Sequence, residues 1–495
     1  MLSAFTNVLK IEELRKRILF TLAMIFIVRL GAAIPCPGIN TNVLAEYFKL
    51  EQSKNGFVGL LNIFTGGALE NCAIFSLSIM PYISASIMIQ LMTAVVPSLS
   101  KMAREEGGRQ KITQYTRYFT IVLCLFQGYM LAVAFQNPQN IGLLPGIDRV
   151  IEQVGPLVPV KGWLFNFTTV IALTSGTMLL MWLGEQITDK GIGNGISVVI
   201  TVGIVARLPT ALLQAWQILM PSSTNSASFA SPLLLVVMLF FLIVVIAATI
   251  AITQAVRRLP VQYAKQVRGN KMFQGQTQVL PLKVNYAGVM PIIFAQSILI
   301  FPTLLINLIP GVPWAGALAA ELAHGFTHYL MYVAMILFFS YFWVATQFNP
   351  IQIADDLKRH NGLIPGYRPG PDTAAYLDYV MTRLTLAGAI FLTVLAILPS
   401  AVQQLMNIPL NTAQFFGGTS LLIIVGVMLD TMRQMETYLL QRHYDGFLKK
   451  GRVRTRSASA MHPTATYQEH PAMLWLYVGI AVLVILTAII KLAWA

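Results

Sequence analysis

The chain offers few groups able to make or break covalent bonds. It has no HExxH, GxSxG, Walker-type GxxxxGK or CxxC arrangement, so the spacings that serve zinc proteolysis, serine hydrolysis, phosphate cradling and dithiol exchange are missing. Cys36, Cys72 and Cys124 stand apart without metal-ligand spacing and read as small apolar core residues. Asp430 is the one Asp well inside an apolar run and sits three residues from Arg433, with which it is expected to pair, while Asp355 and Asp356 lie in a basic loop. Arg29 also falls in an apolar run, where it can snorkel or bond backbone carbonyls. An intramembrane enzyme is therefore the weakest reading. What remains is non-covalent chemistry: isoleucines at matched spacing inside apolar runs, and clusters of Arg and Lys between those runs.

The elements that position these residues are membrane spans. With 56% hydrophobic against 11% charged residues and a mean hydropathy of +0.66 over 495 residues, the chain cannot present an ordinary soluble surface. It reads as an all-α polytopic membrane protein. Eleven apolar runs are expected to span: 18–34, 73–96, 118–135, 163–183, 196–216, 233–255, 286–309, 329–348, 380–398, 416–435 and 473–490. The first run ends in Ile34-Pro35-Cys36-Pro37-Gly38 rather than a small-residue cleavage site, so it is kept as a span. The net charge of +14 could suit nucleic acid, yet basic residues also orient membrane proteins. One alternate set of connections carries 25 Lys and Arg and the other four. The positive-inside rule then makes the amino terminus cytoplasmic, and an odd span count puts the carboxyl terminus outside.

The stretch from Gly59 to Gln90 is apolar but broken by Gly66-Gly67 and by Leu69-Glu70-Asn71. Gly59 to Cys72 is too short to cross and is expected to form a re-entrant or plugging half-helix, whereas the part from Ala73 onward can span. Such broken elements survive where protein or a water-filled cavity surrounds them, and they mark the site of function.

Two short matches relate the halves of the chain. Met80-Pro81-x-Ile83-x-Ala85 matches Met290-Pro291-x-Ile293-x-Ala295, and Gly195-x-Ser197-x-x-Ile200 matches Gly418-x-Ser420-x-x-Ile423. They set the second and fifth spans against the seventh and tenth, the plan of an inverted repeat. Ile83, Ile200, Ile293 and Ile423 are candidates to meet near the midplane, unless they are ordinary core or lipid-facing residues. The basic loops form the second candidate site. Arg257, Arg258, Lys265, Arg268, Lys271 and Lys283 contain no acid among them and precede or flank the β-like Thr277-Gln278-Val279-Leu280, so they suggest a projecting hairpin for an acidic partner such as RNA or an acidic protein surface. A solvated loop that only orients the protein is the plainer alternative. The loop 349–379 adds a rigid turn, Gly366-Tyr367-Arg368-Pro369-Gly370, whose arginine reads as a docking contact.

Taken together, IPxPG at 34–38, IMPYISASI at 79–87, KITQYTRY at 111–118, WLGEQITDKGIGNGIS at 182–197, LPLKVNYAGVMP at 280–291, FNP at 348–350, GYRPG at 366–370, VMTRLTL at 380–386 and FGGTSLLI at 416–423 resemble the SecY family of bacterial protein-conducting channels over about residues 10 to 455. The resemblance implies ten helices in two inverted five-helix halves, 1–216 and 217–456; the chain departs from that pattern by continuing into a polar linker and an apolar run long enough to span, expected as an extra helix in 457–495. It implies a pore ring of Ile79, Ile83, Ile196, Ile200, Ile293 and Ile423, and a plug containing Leu60, Leu61, Asn62, Ile63, Phe64, Gly66, Gly67 and Leu69. A lateral gate would lie between the second and third spans and the seventh and eighth, with Ser84, Gln90, Gln127 and Asn285 along it.

The same resemblance implies that Arg257, Arg258, Lys265, Arg268, Lys271 and Arg368 dock the SecA motor ATPase or the ribosome, the latter through ribosomal RNA. Pro260 and Asn270 depart from the most basic versions of that hairpin. SecE and SecG would be membrane partners, signal sequences and nascent polypeptides the cargo, and lipid the destination of apolar segments. The location would be the bacterial cytoplasmic (inner) membrane, with no cofactor and no catalysis by this chain. The competing function is an inverted-repeat carrier of a small solute, which should place polar ligands where this sequence has isoleucines.

Overall fold

Hydrocarbon offers no partner to backbone N–H and C=O groups, so apolar runs of this length satisfy them internally as helices. The computed structural model describes residues 11–51, 62, 65–105, 107–138, 147–219, 230–263, 266–268, 271–273, 277–307, 321, 326–406, 413 and 418–449. The expected eleventh span, 473–490, lies outside them.

In chain order the helices are α1 (Glu12–Gly31), α2 (Thr41–Glu51), α3 (Met80–Val95), α4 (Pro97–Arg104), α5 (Gly108–Gln136), α6 (Asp148–Val154), α7 (Trp163–Lys190), α8 (Gly195–Leu219) and α9 (Ala230–Gln254). After a β segment come α10 (Met290–Asn307), α11 (Phe326–Gln347), α12 (Pro350–Arg359), α13 (Pro371–Met406) and α14 (Thr419–Lys449). Among the described residues, six segments are long and apolar enough to cross a membrane: Gly108–Gln136, Trp163–Lys190, Gly195–Leu213, Val237–Gln254, Thr327–Arg359 and Pro371–Gln403. A seventh is the bent pair Met80–Val95 and Pro97–Ala103, which turns by 105° where Val96 is extended and Pro97 opens the next helix. The first, seventh and tenth expected spans are also helical, as α1, α10 and α14. The uninterrupted apolar lengths of α1 and α14 are shorter, because α1 opens on Glu12 and Glu13 and α14 carries Asp430, Arg433 and Glu436.

The helices form two strings of neighbours. α5 packs on α3 and α7, and α7 on α1 and α8; α11 packs on α10 and α13. The strings meet where α3 touches α10 and where α8 touches α14. A bidentate pair joins α5 to α7, Arg117 Nε and Nη2 donating to Glu185 at 3.0 and 2.8 Å. At the other side Arg17 of α1 donates to Gly191 O and stacks over Tyr438 of α14 at 4.9 Å, so the turn between α7 and α8 is clasped from two helices.

The basic hairpin is a sheet. Strand β1 (Val256–Tyr263) pairs antiparallel with β4 (Thr277–Lys283), from Val256 opposite Lys283 to Gln262 opposite Thr277, while β2 (Gln266–Arg268) and β3 (Lys271–Phe273) pair at the tip. β1 also pairs with β5 (Gly362–Leu363), so the two basic loops expected separately belong to one three-stranded sheet in the order β4, β1, β5. Pro260 is tolerated in β1 because β5 reaches only Gln262 and Tyr263. Leu259, Val261 and Leu282 point inward onto Val344, Phe348, Ile364, Leu377 and Val380, which fixes the hairpin's base to the ends of α11 and α13.

Candidate pore and plug

The matched isoleucines share a site. On α3 and the residue preceding it, Ile79, Ile83 and Ile87 recur every four residues and therefore line one face; Ile196, Ile200 and Ile204 do the same on α8. Ile293 comes from α10 and Ile423 from α14. All eight belong to one apolar cluster closed by Phe294 and Phe339, whose rings meet edge to face at 5.8 Å. The six isoleucines expected at a pore ring are thus brought together from four helices. Ile87, Ile204, Phe294 and Phe339 were not anticipated, although the i, i+4 continuation of Ile79-Ile83 and Ile196-Ile200 signalled the first two.

Both repeat motifs start helices at equivalent points. Met-Pro opens α3 and α10, and Gly-x-Ser lies at the start of α8 and α14. Proline suits the first turn because its missing N–H has no intrahelical acceptor there. A small void is lined by Ser78, Ile79, Met80, Ile83, Ile200, Ile293 and Gln296. An ion in this waist would lose its hydration and find branched alkyl groups in return, while an extended chain could pass by displacing side chains that bind no sequence tightly.

Of the expected half-helix, Asn62 is helical, while Thr65 to Cys72 form turns that continue to Ser78, and the second span is helical only from Met80 to Val95, about 24 Å. The physical reason is backbone conformation: Gly66 and Gly67 hold φ of 65° and 89°, and Cys72 and Ser78 hold φ of 44° and 53°, values a right-handed helix excludes. Leu60, Leu61, Ile63 and Phe64 lie outside the described residues. Asn62 and Leu69 are buried.

These turns are pinned on several sides. Cys36 N donates to Cys72 O at 2.8 Å and Ile74 N to Ile34 O at 3.0 Å, a short ladder to the chain after α1. Gly66 approaches α8 so closely that a Cβ would lie 2.7 Å from Gly203 Cα. Arg29 Nη1 donates to Gly66 O at 3.2 Å, so that half-buried cation does bond a backbone carbonyl. Arg207 of α8 pairs with Glu70, which also accepts from Asn62 Nδ2 at 3.2 Å. Arg207 was missed by sequence reasoning; a lone cation in the apolar run of α8 was the available signal. Cys36, Cys72 and Cys124 are free and buried, as expected.

The gate residues are not gathered into one polar network. Gln90 donates to Ser86 on its own helix at 3.3 Å, and buried Asn285 donates to Gly288 O at 3.2 Å. Ser84 and Gln127 are half-buried on α3 and α5. Asp430 and Arg433 are exposed and form no ion pair with each other, a correction to the expected pairing: α14 leaves both outside its packed face.

In the sheet, Arg257 and Arg258 are exposed on β1, and Arg268 and Lys271 stand opposite each other in the β2–β3 register. Lys265 lies outside the described residues. Arg368 is exposed in a turn bounded by Gly366 and Gly370, its carbonyl fixed by Thr373 Oγ1 at 2.7 Å and its neighbour Tyr367 stacked on Tyr376 at 4.0 Å.

Comparison with known proteins identifies the family and the fold. A family model described as SecY matches residues 73–432. Among curated relatives, the protein translocase subunit SecY of Chlamydia trachomatis is 42% identical over 460 residues, 92% of this chain and all of that protein. Its namesake in Escherichia coli strain K12 is 42% identical over 450 residues, 89% of this chain and 95% of that one. Two solved structures share the fold. One is a SecY whose plug domain is described as stabilizing the closed state of the translocation channel, with a TM-score of 0.54, 16% identity and coverage of 88% and 95% of the two chains. The other is Sec61 in a canine ribosome-channel complex, with a TM-score of 0.54, 14% identity and the same coverages.

Proposed function

Because the chain belongs to the SecY family, and so is the central pore subunit of a protein translocase rather than an enzyme, we propose how its residues carry that activity. The observation that carries the reading is the convergence of six isoleucines from α3, α8, α10 and α14 into one apolar waist beside a pinned turn. Ile79, Ile83, Ile196, Ile200, Ile293 and Ile423 seal the pore at rest and part around an unfolded polypeptide. The segment containing Asn62, Gly66, Gly67 and Leu69 is the plug. Apolar segments leave sideways between α3–α5 and α10–α11, where α3 meets α10 and Ile83, Ile87 and Ile293 share one apolar cluster, past Ser84, Gln90, Gln127 and Asn285. A solute carrier is not favoured, since the waist offers a migrating solute alkyl groups in place of charged ligands.

The two inverted halves are 1–216 and 217–456, with the extra span in 457–495. Charge bias orients the protein in a bacterial cytoplasmic membrane with its amino terminus, the β1–β4 hairpin and the Arg368 turn in the cytoplasm. That sheet presents Arg257, Arg258 and Arg368 on one unit and is the docking platform for the SecA motor or for ribosomal RNA, a reading supported by the shared fold with a ribosome-bound Sec61. SecE and SecG complete the membrane complex. The test is resting ion conductance of reconstituted channels with Ile83, Ile200, Ile293 and Ile423 all changed to Gly. A marked rise in leak, larger after deletion of Gly59 to Cys72, supports the seal; an unchanged tight baseline in both places these isoleucines outside any pore.

A further inference from the structure

The turn between Thr65 and Cys72 lies in an apolar stretch, yet charge holds it in place. Glu70 is its only carboxylate. It pairs with the Arg207 guanidinium of α8 and accepts from Asn62 Nδ2 at 3.2 Å, while Asn62 Oδ1 accepts the Glu70 backbone N–H at 3.2 Å. The Arg207 and Glu70 side chains are only 18% and 23% exposed. The Arg207 guanidinium also lies against Gly67, where a Cβ would collide with it, and Arg29 of α1 donates to Gly66 O at 3.2 Å. Two helices thus each hold one residue of the Gly66-Gly67 pair.

We propose that the Glu70–Arg207 pair, backed by Arg29, is a latch that seats the plug turn and sets the threshold at which a polypeptide opens the pore. The inference rests on the pore-and-plug reading above and adds two positioning residues to it. Apolar contacts are non-directional and let a turn slide by degrees. A largely buried ion pair does not, because separation leaves a charge on each side without its partner. The turn therefore leaves its seat in one step, and substrates that supply too little apolar binding energy do not release it.

The test uses the full chain reconstituted with its accompanying subunits, comparing Glu70→Gln, Arg207→Gln, Asn62→Ala, the reciprocal Glu70→Arg with Arg207→Glu, and deletion of Gly59 to Cys72. Each Glu70 or Arg207 single change should raise resting ion leak about tenfold or more and admit a secretory polypeptide whose apolar signal has been shortened. Asn62→Ala, which keeps both charges, should give a smaller rise, and the reciprocal pair should bring the leak back toward the unaltered level. A tight baseline in the single variants alongside a leaking deletion overturns the latch and leaves the plug standing. A tight deletion overturns the plug reading, and the latch with it. Equal leaks in the single and reciprocal variants also overturn the latch, since pairing would then contribute nothing beyond side-chain size.

Discussion

At Gly67 the absence of a side chain decides how the proposed plug turn can sit. Its φ of 89° is one an L-residue adopts at a cost of roughly 1 kcal/mol or more, and a Cβ there would overlap the Arg207 guanidinium. Gly67→Ala is therefore expected to displace either the turn or the arginine. The channel should leak at rest while α8, whose backbone is untouched, keeps the thermal stability of the protein near that of the unaltered chain. A tight channel with Gly67→Ala would mean that the turn tolerates displacement without losing its seal. At this scale the sequence was informative wherever a residue's role repeats along the chain. Ile83, Ile200, Ile293 and Ile423 were found through paired motifs, and the structure brings them together. Glu70 and Arg207 stand 137 positions apart with no repeat to link them, so only folding reveals the pair.

The helices were legible because hydrocarbon-length apolar runs leave the backbone one economical solution, but their ends and breaks were less so. Composition allowed a second span beginning at Ala73, whereas four residues with positive φ between Gly66 and Ser78 delay the helix to Met80. The pairing of β5 with β1 was also hidden, because two residues of strand carry too little pattern to register. That pairing has a functional consequence. It fastens the loop bearing Arg368 to the hairpin bearing Arg257 and Arg258, so the proposed docking residues share one sheet-based unit. Arg368→Glu should lower motor-driven or ribosome-coupled transport strongly, through charge repulsion at an acidic partner, and leave resting conductance unchanged because Arg368 is exposed in a turn and is not among the residues of the isoleucine cluster. Measuring transport and leak on the same vesicles separates the two; a variant that leaks as well would show that the sheet contributes to closure.

Across the whole molecule, two strings of helices close on each other at α3 with α10 and at α8 with α14, and the waist lies at those junctions. The same geometry requires the two mouths to differ. One carries the sheet and its arginines, and the other carries the chain around α2 and α6, where Val43, Leu44, Tyr47, Ile147 and Leu157 form a separate apolar core. The proposed orientation, with the sheet in the cytoplasm, makes a prediction that does not depend on transport. Val160, 79% exposed, lies in the connection leading into α7. In a chain whose native Cys36, Cys72 and Cys124 are replaced by Ala, a cysteine at Val160 should react with a membrane-impermeant maleimide added outside sealed cells. A cysteine at Arg368 should react only after the cells are opened. The converse pattern would invert the molecule, place the basic sheet outside, and remove any route by which an ATP-driven motor or a ribosome could reach it.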